Sequence, residues 1–431
     1  MTGNTPQSGP KVPTVPPKAM DGPDPARNGE PAAAARRQFR RLIVLIAVAT
    51  VDMMGGAMVF PLIPFYALKF NASPLVIGMI LSSFFVAQLI SAPLWGRVSD
   101  HHGRRPALLI GLSAAAAAFL LFGFANSVWL LFLCRIVQGL GGGTTAVLQA
   151  YVGDTVPPED RARSLGWLSA GTNLGTMLGP AIGSFATYWS QEAPGILAGS
   201  LCLLNAICAW KWLPESKQAH TELVKRKPVW HGIWMVLRNP AGAVQRLTLI
   251  YAVGMLAFSA LNSVLALYLS LEFGITEKTI GYVFLYLGIF SVLMRSALIG
   301  PIVDRIGETW SIRIGAVALI IGLIAYPLAP NLWFLAAIVP LVPIGASLLF
   351  PATTALISHA AAKSELGTTM GIAQTFAGIS RIVAPVVSTA LFQRVGHGMP
   401  FYFAAASVGL VSLLSLHVGV QFRRQPVRVV D

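Results

Sequence analysis

Twelve runs of predominantly apolar residues, each about long enough to cross a bilayer, leave this chain few folds. They occupy approximately residues 42–66, 75–95, 107–125, 128–150, 164–187, 194–213, 244–272, 279–298, 310–328, 332–358, 365–391 and 398–420. The 431 residues are 55% hydrophobic and only 11% charged, more apolar surface than a soluble core of this size can hide. Inside hydrocarbon a helix satisfies its own backbone N–H and C=O groups, so each run is predicted to be a spanning helix. Their Gly and Pro content is ordinary for packed membrane helices.

The charge distribution orients the spans. The net charge is +14, and 25 of the 31 Lys and Arg fall on one side when both termini are placed in the cytoplasm. Lys69, Lys278 and Arg394 fall on the other side, and Arg135, Arg295 and Arg381 lie inside spans. Positive charge gathers in cytoplasmic loops, so topology explains the basic balance and no nucleic-acid partner is expected. The basic tails can touch anionic lipid without a specific partner. The three cysteines all fall in predicted spans without a CxxC pair, so neither a disulfide nor a metal site is expected. Residues 1–40 are rich in Pro, Ala and Gly and lack the apolar core of a signal peptide; they are predicted to be a disordered cytoplasmic tail.

The chain repeats itself. Phe70, Ser73 and Gly78 match Phe273, Thr276 and Gly281 at an offset of 203; Gly96, Asp100 and Gly103 match Gly300, Asp304 and Gly307 at 204; Gly166 and Pro180 match Gly371 and Pro385 at 205. The predicted fold is an all-α membrane protein of twelve transmembrane helices in two pseudo-symmetric six-helix bundles, 41–213 and 244–420. A cytoplasmic linker, 214–243, joins them, and a short cytoplasmic tail, 421–431, follows. An even number of spans gives both bundles the same orientation and leaves a cavity between them near mid-membrane.

Between the second and third spans lies Gly96-Arg97-Val98-Ser99-Asp100-His101-His102-Gly103-Arg104-Arg105-Pro106, a charged loop on the basic side. Gly96 and Gly103 permit a tight turn and close helix approach. Asp100 is suited to accept hydrogen bonds at a helix N-terminus, and Arg104 to pair in a fork with Asp154 at the end of the fourth span. Such a cluster would hold the two bundles shut on the inside. This loop resembles the signature between the second and third helices of the major facilitator superfamily, with His101-His102 where the pattern often has a single Arg. The resemblance extends over residues 40–420 and is narrower to the twelve-helix drug:proton antiporters, tetracycline efflux pumps among them. It implies the major facilitator fold and a gating role for Asp100, Arg104 and Asp154, to which Gly96 and Gly103 are expected to contribute the turn of the gate.

The fourth span carries Arg135-Ile136-Val137-Gln138-Gly139-Leu140-Gly141-Gly142-Gly143. An Arg inside a span is costly, so Arg135 either pairs, lines a cavity or snorkels to the surface. The run resembles the family's fourth-helix signature, whose Arg is implicated in proton coupling. In the fifth span Gly171, Gly175, Gly179 and Gly183 recur every four residues around Pro180, a smooth seam for close helix packing. This run resembles the signature that separates exporters from importers.

Asp52 in the first span is the one acidic residue placed deep in any span. A lone carboxylate in a low-dielectric site can take up and release a proton near neutral pH, so Asp52 is the first candidate for a coupling proton carrier, tuned by Arg135. Its position and the Pro61-Leu62-Ile63-Pro64 run after it also resemble tetracycline pumps. Arg381 in the eleventh span has no acid in its own half. It would suit a substrate anion or pair across the interface with Asp52 or with helix-end carbonyls. Gln138, Asn173, Gln374, Phe60 and Tyr268 complete the residues expected to line the cavity.

The sequence lacks an HExxH, a GxSxG and a Walker lysine loop, so no enzyme activity and no cofactor are expected. Pumping would draw on an ion gradient, and one isolated acid favours protons over sodium. The expectation is proton-coupled efflux of small amphiphilic compounds by a monomer in a bacterial inner membrane. The alternatives are a carrier of organic anions that uses Arg381, and a non-transporting receptor on the same scaffold.

Overall fold

The computed structural model describes residues 29–216, 242–362 and 365–423, with positions 234, 236 and 238 between them. Its helices are α1 (Gly29–Val59), α2 (Ile63–Lys69), α3 (Pro74–His102), α4 (Arg104–Gly123), α5 (Val128–Leu140), α6 (Thr144–Thr155), α7 (Pro158–Ala186) and α8 (Ala193–Trp212). The second half follows as α9 (Ala243–Phe273), α10 (Ile280–Leu293), α11 (Ile299–Ala325), α12 (Leu332–Ile338), α13 (Leu341–Ala360), α14 (Leu366–Arg394) and α15 (Met399–Arg423). The first helix starts at Gly29, so the last residues of the expected disordered tail are helical, while residues 1–28 and most of the linker lie outside the described residues.

Among the described residues, ten continuous helical segments are long and apolar enough to cross a membrane. One of them, Ile280–Ala325, has 46 residues. It is more than twice the ~20 residues one span needs and turns back at Gly307, so it counts as two spans. The remaining span is α7, whose glycines and polar residues lower its apolar content. Its glycine face is covered by α1 and needs no apolar side chains toward lipid. The spans therefore number twelve.

Several spans are broken where the sequence forces it. Pro61 and Pro64 interrupt the first span with a 3-10 turn, Phe60–Leu62, between α1 and α2. Gly141, Gly142 and Gly143 split the fourth span into α5 and α6. A π-helical turn, Met294–Leu298, joins α10 to α11. The two charged "loops" of the sequence are not loops. Helix α3 continues to His102, and the whole reversal is made at Gly103, whose φ is +99°. The repeat does the same at Gly307, φ +77°, within the stretch assigned to α11. Gly96 is helical with open space where a Cβ would stand, so the expected turn and close approach do not occur there.

In the first half, α1 packs most tightly on α7. A Cβ on Gly171, Gly175, Gly179 or Gly183 would sit 2.2 to 2.7 Å from α1 atoms, mostly backbone carbonyls of Thr50, Met54 and Met58. Only glycine lets the helices approach so closely.

The halves meet along α3–α14 and α7–α10. Ser82 donates to the Ile382 carbonyl at 2.7 Å, and the Gly281 N–H donates to Ser184 Oγ at 2.8 Å. At the end opposite the basic loops, called here the far end, Lys69 pairs with Glu277 at 3.0 Å and the Leu75 N–H donates to Gln393 at 3.0 Å. Among the described residues, the hydrogen bonds and ion pairs between the halves run from the far end to Asn173–Arg295. The bonds between the halves thus gather toward the far end.

Candidate functional site

At the basic end Arg104 gathers three acceptors. Its Nε donates to Asp154 at 2.9 Å, and its Nη1 donates to Asp100 at 2.7 Å and to Ser99 at 2.9 Å. The expected helix cap is made by a different acid. Glu215, just past α8, accepts from the backbone N–H groups of Arg104 at 2.7 Å and Arg105 at 3.1 Å, placing negative charge on the free amides of α4. A Cβ at Gly103 would lie 2.4 Å from that carboxylate. The cluster ties α3, α4, α6 and the start of the linker together inside one half. The expected clasp between halves is not what Arg104 makes, because its three side-chain acceptors all belong to the first half. The repeat is not equivalent here: among the described residues Asp304 and Arg305 make no hydrogen bond or ion pair.

Asp52 is buried inside the first bundle, 8% exposed, and does not face lipid. Its Oδ2 accepts from Thr144 Oγ at 2.5 Å, a length typical of hydroxyl-to-carboxylate bonds. Thr144 is the first residue of α6, so the glycine break brings a half-helix N-terminus against the acid. Cys202 and Phe119 pack beside Gly55, one turn along α1.

Arg135 is 3% exposed and does not snorkel. It donates to Gln138 at 2.5 Å, and its guanidinium lies 4.4 Å from the centre of the Phe84 ring on α3. No hydrogen bond or ion pair links it to Asp52 among the described residues. Gln138 reaches α1 one turn further on, its amide nitrogen 3.5 Å from where a Cβ on Gly56 would stand.

The remaining expected residues divide. Asn173 on α7 accepts from Arg295 Nη1 at 2.9 Å, a bond between the halves from the π-helical turn. Gln374 is exposed on α14 and donates to the Tyr251 hydroxyl at 3.3 Å. Arg381 shares that region, within electrostatic reach of Tyr251. Phe60 packs against the core in the 3-10 turn. Tyr268 lines no cavity: it is 4% exposed, its hydroxyl donates to the Tyr326 carbonyl at 2.9 Å, and its ring packs on Phe401.

Sequence reasoning missed Thr144, Glu215, Phe84, Tyr251 and the bridging role of Arg295. Only Thr144 had a signal, since three consecutive glycines in a span mark a helix break and so a helix start just after it.

Two bundles of related helices, a buried acid at a half-helix start and a charged cluster at one end define a membrane transporter of the two-fold repeated kind. The sequence model of the Major Facilitator Superfamily matches residues 45–246 and again 247–429, and the chain belongs to that family. It is a multi-pass membrane transporter and not an enzyme. It is 25% identical over 362 residues to the class B tetracycline resistance protein of Escherichia coli, covering 83% of this chain and 89% of that protein. It is 26% identical over 388 residues to the quinolone resistance protein NorA of Staphylococcus aureus, covering 89% and 97%. A bacterial homologue of the human lysosomal transporter Spinster, solved inward-facing and unoccupied, shares the fold with a TM-score of 0.72 at 14% identity, over 90% of this chain and 98% of that one.

Proposed function

We propose that this chain is a proton-coupled exporter of small amphiphilic compounds, working by alternating access as a monomer in a bacterial inner membrane with both termini cytoplasmic. The bundles 41–213 and 244–420 are the moving units. The basic end, by its charge, is the cytoplasmic one, and a state joined at the far end is the one that admits substrate from inside.

The observation that carries proton coupling is the Asp52–Thr144 pair. A carboxylate buried without a cation accepts one short bond from a hydroxyl. Protonation removes the charge and gives the acid an O–H donor of its own while its other oxygen can still accept, so the contact with Thr144 weakens and the acid gains a new partner to seek. Thr144 opens α6 and Asp154 stands near its other end, about ten residues or ~15 Å away. A shift of this short rigid helix moves Asp154 relative to Arg104, which links the proton site to the gate cluster. Arg135 and Gln138 border the same break and set the local field. The relatives act against tetracyclines and quinolones by name, which supports compounds of that size and character as substrates.

The test is export in everted membrane vesicles under an imposed proton gradient, with tetracycline and a fluorescent quinolone as probes. Asp52→Asn is expected to abolish gradient-driven movement at unchanged protein level. Unaltered pumping by that variant removes Asp52 from the mechanism.

A further inference from the structure

We infer that Arg381, with Tyr251 and Gln374, forms an anion subsite that recognises a carboxylate or enolate on the transported compound. This rests on the export reading above and names the chemical class of its substrates.

Helix α14 turns about 100° per residue, so Gln374, Gly378 and Arg381 fall within about 60° of one another on one face. The opposite face carries Ile379 and Val383, both exposed apolar residues suited to lipid. Flanking the polar face on one side are Ala373, Ala377 and Ser380, all buried, with Ser380 donating to the Ala252 carbonyl of α9 at 2.8 Å. On the other side Ile382 accepts from Ser82 of α3, and Gly378 approaches Leu89. The Gln374–Arg381 face therefore looks into the seam between α9 of its own half and α3 of the other, away from the bilayer.

Charge in the spans is unbalanced. Among the described residues, Arg135, Arg295 and Arg381 lie inside spans with Asp52 the single deep acid, while Arg313 near a span end donates to the Ser415 and Leu416 carbonyls. Each of the others is occupied: Asp52 by Thr144, Arg135 by Gln138 and the Phe84 ring, Arg295 by Asn173. Arg381 makes no hydrogen bond or ion pair with any described residue, so neither Asp52 nor a helix-end carbonyl takes it up. A guanidinium at this depth is costly unless something compensates it, and its fork matches two oxygens of a planar anion. Tyr251 lies within electrostatic reach of Arg381 and is joined at 3.3 Å to Gln374, which stands about 10 Å from Arg381 along the same helix face, and both can donate to other atoms of the same guest. The Tyr251 and Phe258 rings each meet the Phe350 ring edge-on, at 5.7 and 5.9 Å, and give the guest's aromatic body an apolar wall.

The experiment is equilibrium binding of a quinolone carboxylic acid and of its ethyl ester to purified full-length protein in detergent. Binding needs no gradient, so a failure of proton-driven export leaves this measurement intact. The wild type is expected to bind the acid about tenfold more tightly than the ester, as a charge-assisted bidentate pair supplies. Arg381→Gln is expected to bring the ratio to about one, and Arg381→Lys, which keeps charge without the fork, to leave an intermediate ratio. The ratio is internal to each variant, so a change in overall affinity or fold does not produce it. Equal affinities in the wild type, no binding of either compound, or an unchanged ratio in Arg381→Gln would overturn the subsite.

Discussion

Thr144 and Asp154 stand toward opposite ends of one short helix, the first bonded to the buried acid Asp52 and the second to the gate arginine Arg104. If α6 transmits the state of one to the other, removing the Thr144 hydroxyl should weaken transport through Asp52. Thr144→Val keeps the volume and deletes a hydrogen bond to a carboxylate worth about 1.5–3 kcal/mol. Gradient-driven export is expected to fall roughly tenfold or more by that estimate. In an Asp52→Asn background the same substitution should add little, since the two groups act as one unit. Export rates of the two single variants and the double variant check it.

The far-end closure has a symmetric basis. A Cβ on Gly78 would stand 2.6 Å from the Pro385 carbonyl oxygen, and one on Gly281 would stand 2.6 Å from that of Pro180. The repeat that matches Gly78 with Gly281 and Pro180 with Pro385 is thus a repeat of the contact itself. Gly78→Val and Gly281→Val should each force the far end apart. Spin labels at Asn71→Cys and Thr276→Cys, both exposed at that end, should move apart by several ångströms in either variant.

The Lys69–Glu277 pair gives the same closure a pH dependence. Part-burial raises the Glu277 carboxyl, but the Lys69 hydrogen bond and charge, its own backbone N–H and Lys278 outweigh it and hold the group below the ordinary glutamate value. A depressed value stabilises the closed far end above the ordinary pKa, and that contribution is lost as pH falls through the depressed one. The closed fraction in the spin-label experiment should be flat near neutrality and fall below about pH 4. Glu277→Gln should remove that acid limb. The pair is partly exposed, so the change at neutral pH should stay within about fivefold.

Gly103 and Gly96 are separated by seven positions and by what surrounds them. Gly103 has a positive φ and a carboxylate where its Cβ would be, while Gly96 is helical in open space. Gly103→Ala should cost about 1–2 kcal/mol or more and lower the melting temperature in detergent. Gly96→Ala should be neutral or slightly stabilising by its helix propensity.

The features legible in the sequence were those written as period and charge. Apolar run length marked the spans, and a steady offset marked the repeat. The Gly171–Gly183 seam is visible because it needs nothing but small residues at every fourth position. What was not legible depended on which neighbour a side chain meets. Gly96 and Gly103 look alike in the chain, yet only Gly103 turns it. Asp100 and Glu215 are both acids near the α4 start, and folding brings the more distant one to the amides. Tyr268 and Tyr251 are both aromatic residues of α9. One is sealed in the bundle against Tyr326 and Phe401, and the other faces Gln374 at the seam, because their positions around the helix differ.

The most direct test of the central claim is proton release on substrate binding. Purified protein in lightly buffered detergent solution is mixed with tetracycline while the pH is followed, for wild type and Asp52→Asn. Release from the wild type, absent in Asp52→Asn although tetracycline still binds, is the predicted result. Equal release from both proteins would contradict the account, as would binding to the wild type with no proton released between pH 5 and 8.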